Sequence, residues 1–208
     1  MLSTDLGNQN EKPSVSTLRI TVLTRRPMPK GVKNPLWWGV GSRLRDLGLG
    51  HGLTQTQISE ACGISSQSIS AIENHVNAPR IDTIERLATG LGVSPVWLAF
   101  GDQGHLRFRQ RHPRPALPMD PPLPELGHRE FQKAHEGLGA RLRQARQLRG
   151  LSLRGAGAPA RLSGQAVFLL EAGERVPVVE TCESLAVALD VSPGWLAFGQ
   201  GEGPGEAD

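Results

Sequence analysis

The sequence predicts an all-α protein made of two small five-helix domains, and three observations carry that reading. Residues 40–101 recur at 138–199 without insertion or deletion, a constant offset of 98 that aligns VSPVWLAFG (Val93–Gly101) with VSPGWLAFG (Val191–Gly199). Aromatic residues make up 4% of the 208-residue chain and tyrosine is absent, so the cores must be aliphatic, which suits helices. Within the copies, apolar residues recur at spacings of three and four, the period of a half-buried helix. Units of about 60 residues stand near the lower limit for independent folding.

In the first copy, Val40, Leu44 and Leu47 share one face of a short helix. Thr54 followed three residues later by Gln57 forms a capping box that starts a second helix, with Ile58 and Ala61 as its buried stripe. Gly63 ends it, since glycine takes positive φ without steric cost. Ser65 caps a third helix whose apolar face is Ile69 and Ile72 and whose end lies near Asn74. After Pro79, a fourth helix carries Ile81, Ile84, Leu87, Ala88 and Leu91; Ser94 and Pro95 open a fifth that buries Trp97 and Leu98. Trp195 is expected in the core of the second copy.

Five segments result: a basic N-terminal arm (1–35), a first domain (36–102), a Pro- and Arg-rich tether (103–135), a second, degenerate domain (136–199) and a disordered tail (200–208). Leu18 to Thr24 is the one strand-like stretch, and it would need a partner strand, for instance from a second subunit. Net charge is +3, with the positive excess concentrated in arm and tether, a pattern suited to following a phosphate backbone. Cys62 and Cys182 fall at different places in their copies, so small buried thiols are expected rather than a disulfide or metal framework. The absence of a long apolar run or secretion signal predicts a cytoplasmic protein with no membrane association, nucleoid-associated when bound to DNA. The histidines are scattered and no nucleophile sits beside a base, so neither catalysis nor a cofactor is expected.

The run Leu53, Thr54, Gln55, Ile58, Gly63, Ile64, Ser65, Ile69, Ser70, Glu73, continued by Pro79, Leu87, Ala88, Leu91, Gly92 and Val93, resembles the helix-turn-helix of Cro and phage-repressor-type DNA-binding proteins. That resemblance implies two lambda-repressor-like domains and a third helix that enters the major groove of double-stranded DNA. Its outward face is expected to present Ser66, Gln67, Ser70 and Ala71, with Gln67 pairing to adenine N6 and N7. Gln55, Ser65 and Asn74 are implied as phosphate contacts, joined by Arg43 and Arg45. The family often pairs a helix-one arginine with the glutamate that ends helix three. Here Gly48 stands opposite Glu73, whereas the second copy keeps Arg146 and Glu171.

The second copy differs where DNA would be met. Leu153 replaces Gln55, Gly164 replaces Ser66, Phe168 and Leu169 replace Ser70 and Ala71, and Gln165 keeps its counterpart's chemistry. Gly155 and Pro159 weaken its second helix. An apolar face could meet thymine methyls, but a homodimer contact, the first copy or a protein partner is favoured narrowly. A flexible tether of about 36 residues spans about 30 to 36 Å. This would let both copies straddle half-sites about 34 Å apart as a built-in pseudo-dimer. The leading expectation is therefore a sequence-specific transcriptional regulator, of repressor type. The alternative is an antitoxin or accessory repressor whose second domain binds a protein.

Overall fold

A computed structural model describes residues 37–107 and 133–205. The strand-like stretch of the arm, residues 108–132 of the tether and residues 206–208 lie outside the described residues. The described part holds ten α-helices. In copy one they are α1 (Val40–Gly50), α2 (Gln55–Cys62), α3 (Ser66–Glu73), α4 (Ile81–Leu91) and α5 (Pro95–Phe100). Copy two supplies α6 (Leu138–Leu148), α7 (Leu153–Gly157), α8 (Gly164–Glu171), α9 (Val179–Leu189) and α10 (Pro193–Phe198). A 3₁₀ turn precedes each copy, at Trp37–Gly39 and Ala134–Gly137.

The local signals act as their chemistry requires. Thr54 accepts the Gln57 N–H while the Gln57 side chain accepts the Thr54 N–H, so two orphan donors of α2 are satisfied. Gly63 then turns the chain at φ 60°. Ser65, Ser94, Ser163 and Ser192 cap α3, α5, α8 and α10 through their hydroxyls. In copy two, α7 stops at Gly157 and continues as a 3₁₀ turn through Pro159, the shortening that Gly155 and Pro159 foretell.

Each copy closes over an aliphatic core. Leu44, Leu47, Ile58, Ile69, Ile81, Ile84, Leu87, Leu91, Leu98 and Phe100 are fully buried in the first; Leu142, Val167, Val179, Leu185, Leu189 and Leu196 are their counterparts in function in the second. Trp97 and Trp195, expected inside, are only partly buried against this core, while Phe100 and Phe198 reach the interior. Cys62 and Cys182 are buried free thiols. Desolvation pushes Cys62 up to about 11, against the nearby Arg86, and raises Cys182 further.

The copies dock on one another rather than hanging on a loose tether. Arg80 and Val178, equivalent positions in the repeat, form an antiparallel bridge. Ile81 donates its N–H to the Pro177 carbonyl (3.0 Å) and Val179 returns the bond to Pro79 (2.9 Å). This is one contact read from both sides, the signature of a twofold relation. Helices α5 and α10 pack across the same seam. On one flank the Glu85 carboxylate of α4 accepts the Ala134 N–H (2.7 Å) and meets His135 Nδ1 (2.5 Å), holding the turn that opens copy two.

Two segment expectations change as a result. Residues 103–107 and 200–205, read as tether and disordered tail, bind each other. Glu202 donates its N–H to the His105 carbonyl (2.9 Å), and Arg107 donates to the Gly203 carbonyl through Nη2 (2.7 Å). The glycines that suggested disorder instead allow close approach. A Cβ on Gly201 would lie 2.6 Å from the His105 carbonyl oxygen.

Candidate nucleic-acid interface

Helix α3 stands on the surface of copy one, fixed by Ile69 and Ile72 beneath it. Ser65, Ser66 and Gln67 are exposed, and Ser70 and Ala71 are half-buried. Gln67 makes no side-chain hydrogen bond to any described residue, so its amide donor and acceptor both face solvent. Ser65 is committed as the α3 cap and also meets Ser68 Oγ at 2.8 Å. Asn74 folds back on the helix, donating through Nδ2 to the Ser70 carbonyl (2.8 Å) and to Ser70 Oγ (3.3 Å).

Two implied phosphate contacts have structural duties. Arg43 turns inward and donates to the carbonyls of Leu98 (2.9 Å) and Ala99 (2.8 Å), tying α1 to the end of α5. Burial lowers its pKa to about 10, partly offset by Glu183 from the other copy. The equivalent Arg141 binds the carbonyls of Leu196 and Ala197 in the same way. Arg43 is therefore corrected to a clamp between α1 and the end of α5. Basic residues near a reader helix in sequence need not point along it, because successive helix positions are about 100° apart.

Gln55 donates through Nε2 to Glu73 Oε2 at 2.6 Å. Arg45 donates to the Glu73 backbone carbonyl, also at 2.6 Å, which places its exposed side chain at the C-terminal end of α3. Glu73 is buried, and Gln55 supplies the donor that Gly48 cannot. In copy two, where Leu153 replaces Gln55, Arg146 grips Glu171 through Nε (2.5 Å) and Nη2 (3.0 Å), with Arg143 at 3.4 Å. The Arg146 guanidinium neutralises the buried carboxylate of copy two, whereas the Gln55 amide solvates that of copy one with a hydrogen bond and leaves its charge.

Helix α8 occupies the α3 position of copy two. Gln165 is exposed, Leu169 half-buried, and Phe168 remains 46% exposed. The contacts between copies lie at α5, α10, residues 79–81 and 177–179, at Glu85 with Ala134 and His135, and at 103–107 with 200–205, so the Phe168 face is not what joins them. Sequence reading did not single out Arg154 and Arg161, which replace Thr56 and Gly63. The signal was the repeat itself, compared position by position for new charge. A Cβ on Gly164 would lie 3.4 Å from the Arg154 nitrogen, so Arg154 sits beside the start of α8. No group of His, Cys, Asp or Glu among the described residues could hold a metal ion, and no described helix is long and apolar enough to cross a membrane.

Comparison with known families agrees with the geometry. A helix-turn-helix family model matches residues 44–98 and a second, described as a helix-turn-helix domain, matches 137–196. No curated protein matches the chain. With two matched segments, each folded as five helices around a braced third helix, the chain is a tandem helix-turn-helix protein, built from the domain type of DNA-binding regulators.

Proposed function

We propose that the chain is a transcriptional regulator of repressor type that binds a short operator as a single molecule in the cytoplasm, with α3 in the major groove of one half-site. The observation that carries this reading is Gln67, an uncommitted amide on an exposed helix whose flanking positions are small. A side-chain amide can pair with adenine N6 and N7 in the groove, while Ser66 and Ser70 let the helix approach closely. Phosphates are held by the α2 N-terminus near Gln55, by Ser65 and Asn74 at the ends of α3, and by Arg45. Helix α8 covers the second half-site more weakly, with Gln165 as its polar reader and Arg154 and Arg161 supplying backbone attraction.

Selection of bound sequences from a random duplex pool at stated salt tests this. Gln67→Ala is expected to relax preference at one base position and cost about 1 to 3 kcal/mol, and Gln165→Ala to cost less. Loss of no preference in the first variant, or failure of the wild type to prefer any duplex over genomic competitor, overturns the proposal.

A second reading rests on Phe168, an exposed aromatic on the face where a reader helix should be polar. In it, copy two holds a protein partner and the chain acts as an antitoxin or accessory repressor. Phe168→Ser with Leu169→Ser separates the readings. Weaker operator binding supports DNA contact by α8. Unchanged operator binding with loss of a stoichiometric protein partner supports the second reading.

A further inference from the structure

One groove of copy two is explained only by comparison with copy one. It has a volume of about 330 Å³ and is lined by His135, Glu136, Gly139, Leu170, Gly173 and Arg175, among others. Subtracting the repeat offset maps Glu136 and Gly173 onto Trp38 and His75. In copy one those two rings stack at 6.3 Å between centroids, tilted by 11°. The His75 ring lies over Gly41, since a Cβ built there would come within 2.8 Å of its Cε1 and 2.4 Å of the Ile72 carbonyl oxygen. At the equivalent Gly139, the three nearest atoms to a Cβ are all backbone, among them the oxygens of Leu170 (2.6 Å) and Glu171 (2.7 Å), and the ring that His75 supplies in copy one is replaced by Gly173. The backbones approach alike in both copies, and the aromatic filling is missing from one.

The emptied place has a polar rim. Gly173 is followed by Glu174 and Arg175, both exposed; Arg175 lines the groove and its guanidinium has no hydrogen bond or ion pair to any described residue, whereas Glu174 is not part of the lining. Glu136 is paired with Lys133 at 3.2 Å, and His135 is engaged by Glu85. Among the lining residues the uncompensated charge is therefore that of Arg175, while Leu138, Leu170, Val176 and Pro177 provide apolar walls.

We propose that this slot binds a planar aromatic carboxylate of one or two fused rings, the ring lying over Gly139 where copy one keeps its imidazole and indole, and the carboxylate meeting Arg175. A flat ring recovers the dispersion contacts that the walls lack. The carboxylate–guanidinium pair is a charge-assisted, potentially bidentate contact. The slot joins the first turn of α6 to the last turn of α8 and ends at Pro177, beside the seam, so its occupant braces α8 against the rest of the molecule.

Calorimetric titration of the full chain with indole-3-carboxylate, and with neutral indole for comparison, tests the site. Saturable binding at one molecule per chain is expected, about tenfold weaker for indole and for Arg175→Gln. The paired substitution Glu136→Trp with Gly173→His, which restores the filling of copy one, should abolish binding while retaining the helical circular dichroism. Amide shifts on titration should centre on Gly139, Gly173 and Val176, a readout that stands even if the filled variant fails to fold. No saturable binding by the wild type, equal binding by a folded filled variant, or shifts centred elsewhere would each overturn the proposal.

Discussion

At the residue level the buried carboxylate that ends α3 and α8 is a problem solved twice. Glu73 relies on the Gln55 amide and Glu171 on the Arg146 guanidinium. Gln55→Leu, the residue that copy two carries, leaves Glu73 without that donor and is expected to lower stability by about 1 to 3 kcal/mol in chemical denaturation. Adding Gly48→Arg should recover part of the loss. A Cβ on Gly48 would lie 3.4 Å from the Leu53 carbonyl oxygen and 3.5 Å from Ile58 Cδ1, ordinary contact distances, so the arginine stem has an entry. Additive effects in the double-mutant cycle would contradict the shared role. The absence of an arginine opposite Glu73 was legible in the sequence because the family resemblance, and the second copy with Arg146 and Glu171, show which position should carry it. Its replacement by Gln55 was not, because the resemblance implies a phosphate contact for that glutamine and the bond to Glu73 depends on how α2 crosses α3. Arg43 was also read as a phosphate contact. Its partners are carbonyls 55 and 56 residues distant, and no local pattern points to them.

Among the elements, the tight turn between α2 and α3 shows what the second copy tolerates. Gly63 turns at φ 60° and its counterpart Arg161 at φ 56°, a conformation that costs a side-chain-bearing residue about 1 to 2 kcal/mol. Arg161→Gly should therefore stabilise the protein by about 0.5 to 1 kcal/mol, the gain in the folded state being offset by a more flexible unfolded chain. An unchanged or lower midpoint in thermal unfolding would refute this strain argument. If Arg161 also holds a phosphate, the same variant will bind DNA less tightly while being more stable, the trade expected where strain is kept at a functional position. The starts of α2, α3 and α5 and the end of α2 were readable because caps, glycines and prolines act within three or four residues. The depth of each aromatic was not. Trp97 and Phe100 share one short helix, and only its packing against α1 and α4 decides that the phenyl ring goes inside.

For the whole molecule, the seam decides whether the repeat acts as one body. It obeys twofold symmetry at 79–81 and 177–179 but breaks it at the axis, where Val96 of α5 faces its own counterpart, Gly194 of α10. A Cβ on Gly194 would fall 2.8 Å from Val96 Cγ1, 2.6 Å from the Gln200 carbonyl oxygen and 2.9 Å from that of Gly104. Gly194 also donates its N–H to the Gly104 carbonyl at 2.8 Å across this contact. Two first copies would bring valine against valine, so the large–small fit favours pairing within the chain over pairing of like domains between chains. Gly194→Val tests this feature: its side chain meets Val96 and the Gly104 carbonyl across the seam, and within copy two also the Gln200 carbonyl, so residues 200–205 must shift with the seam, whereas the matching helix of copy one accommodates Val96. The substitution improves helix propensity slightly, so α10 should persist while the seam opens. We expect one cooperative calorimetric transition in the wild type to become two in the variant, with helical content retained. Operator binding should also weaken, since α3 and α8 would no longer be presented in a fixed relation and the second contact would be limited by the effective concentration of a tether. A single transition and unchanged operator affinity in Gly194→Val would show that the two copies work independently and that the docking contributes nothing to DNA binding.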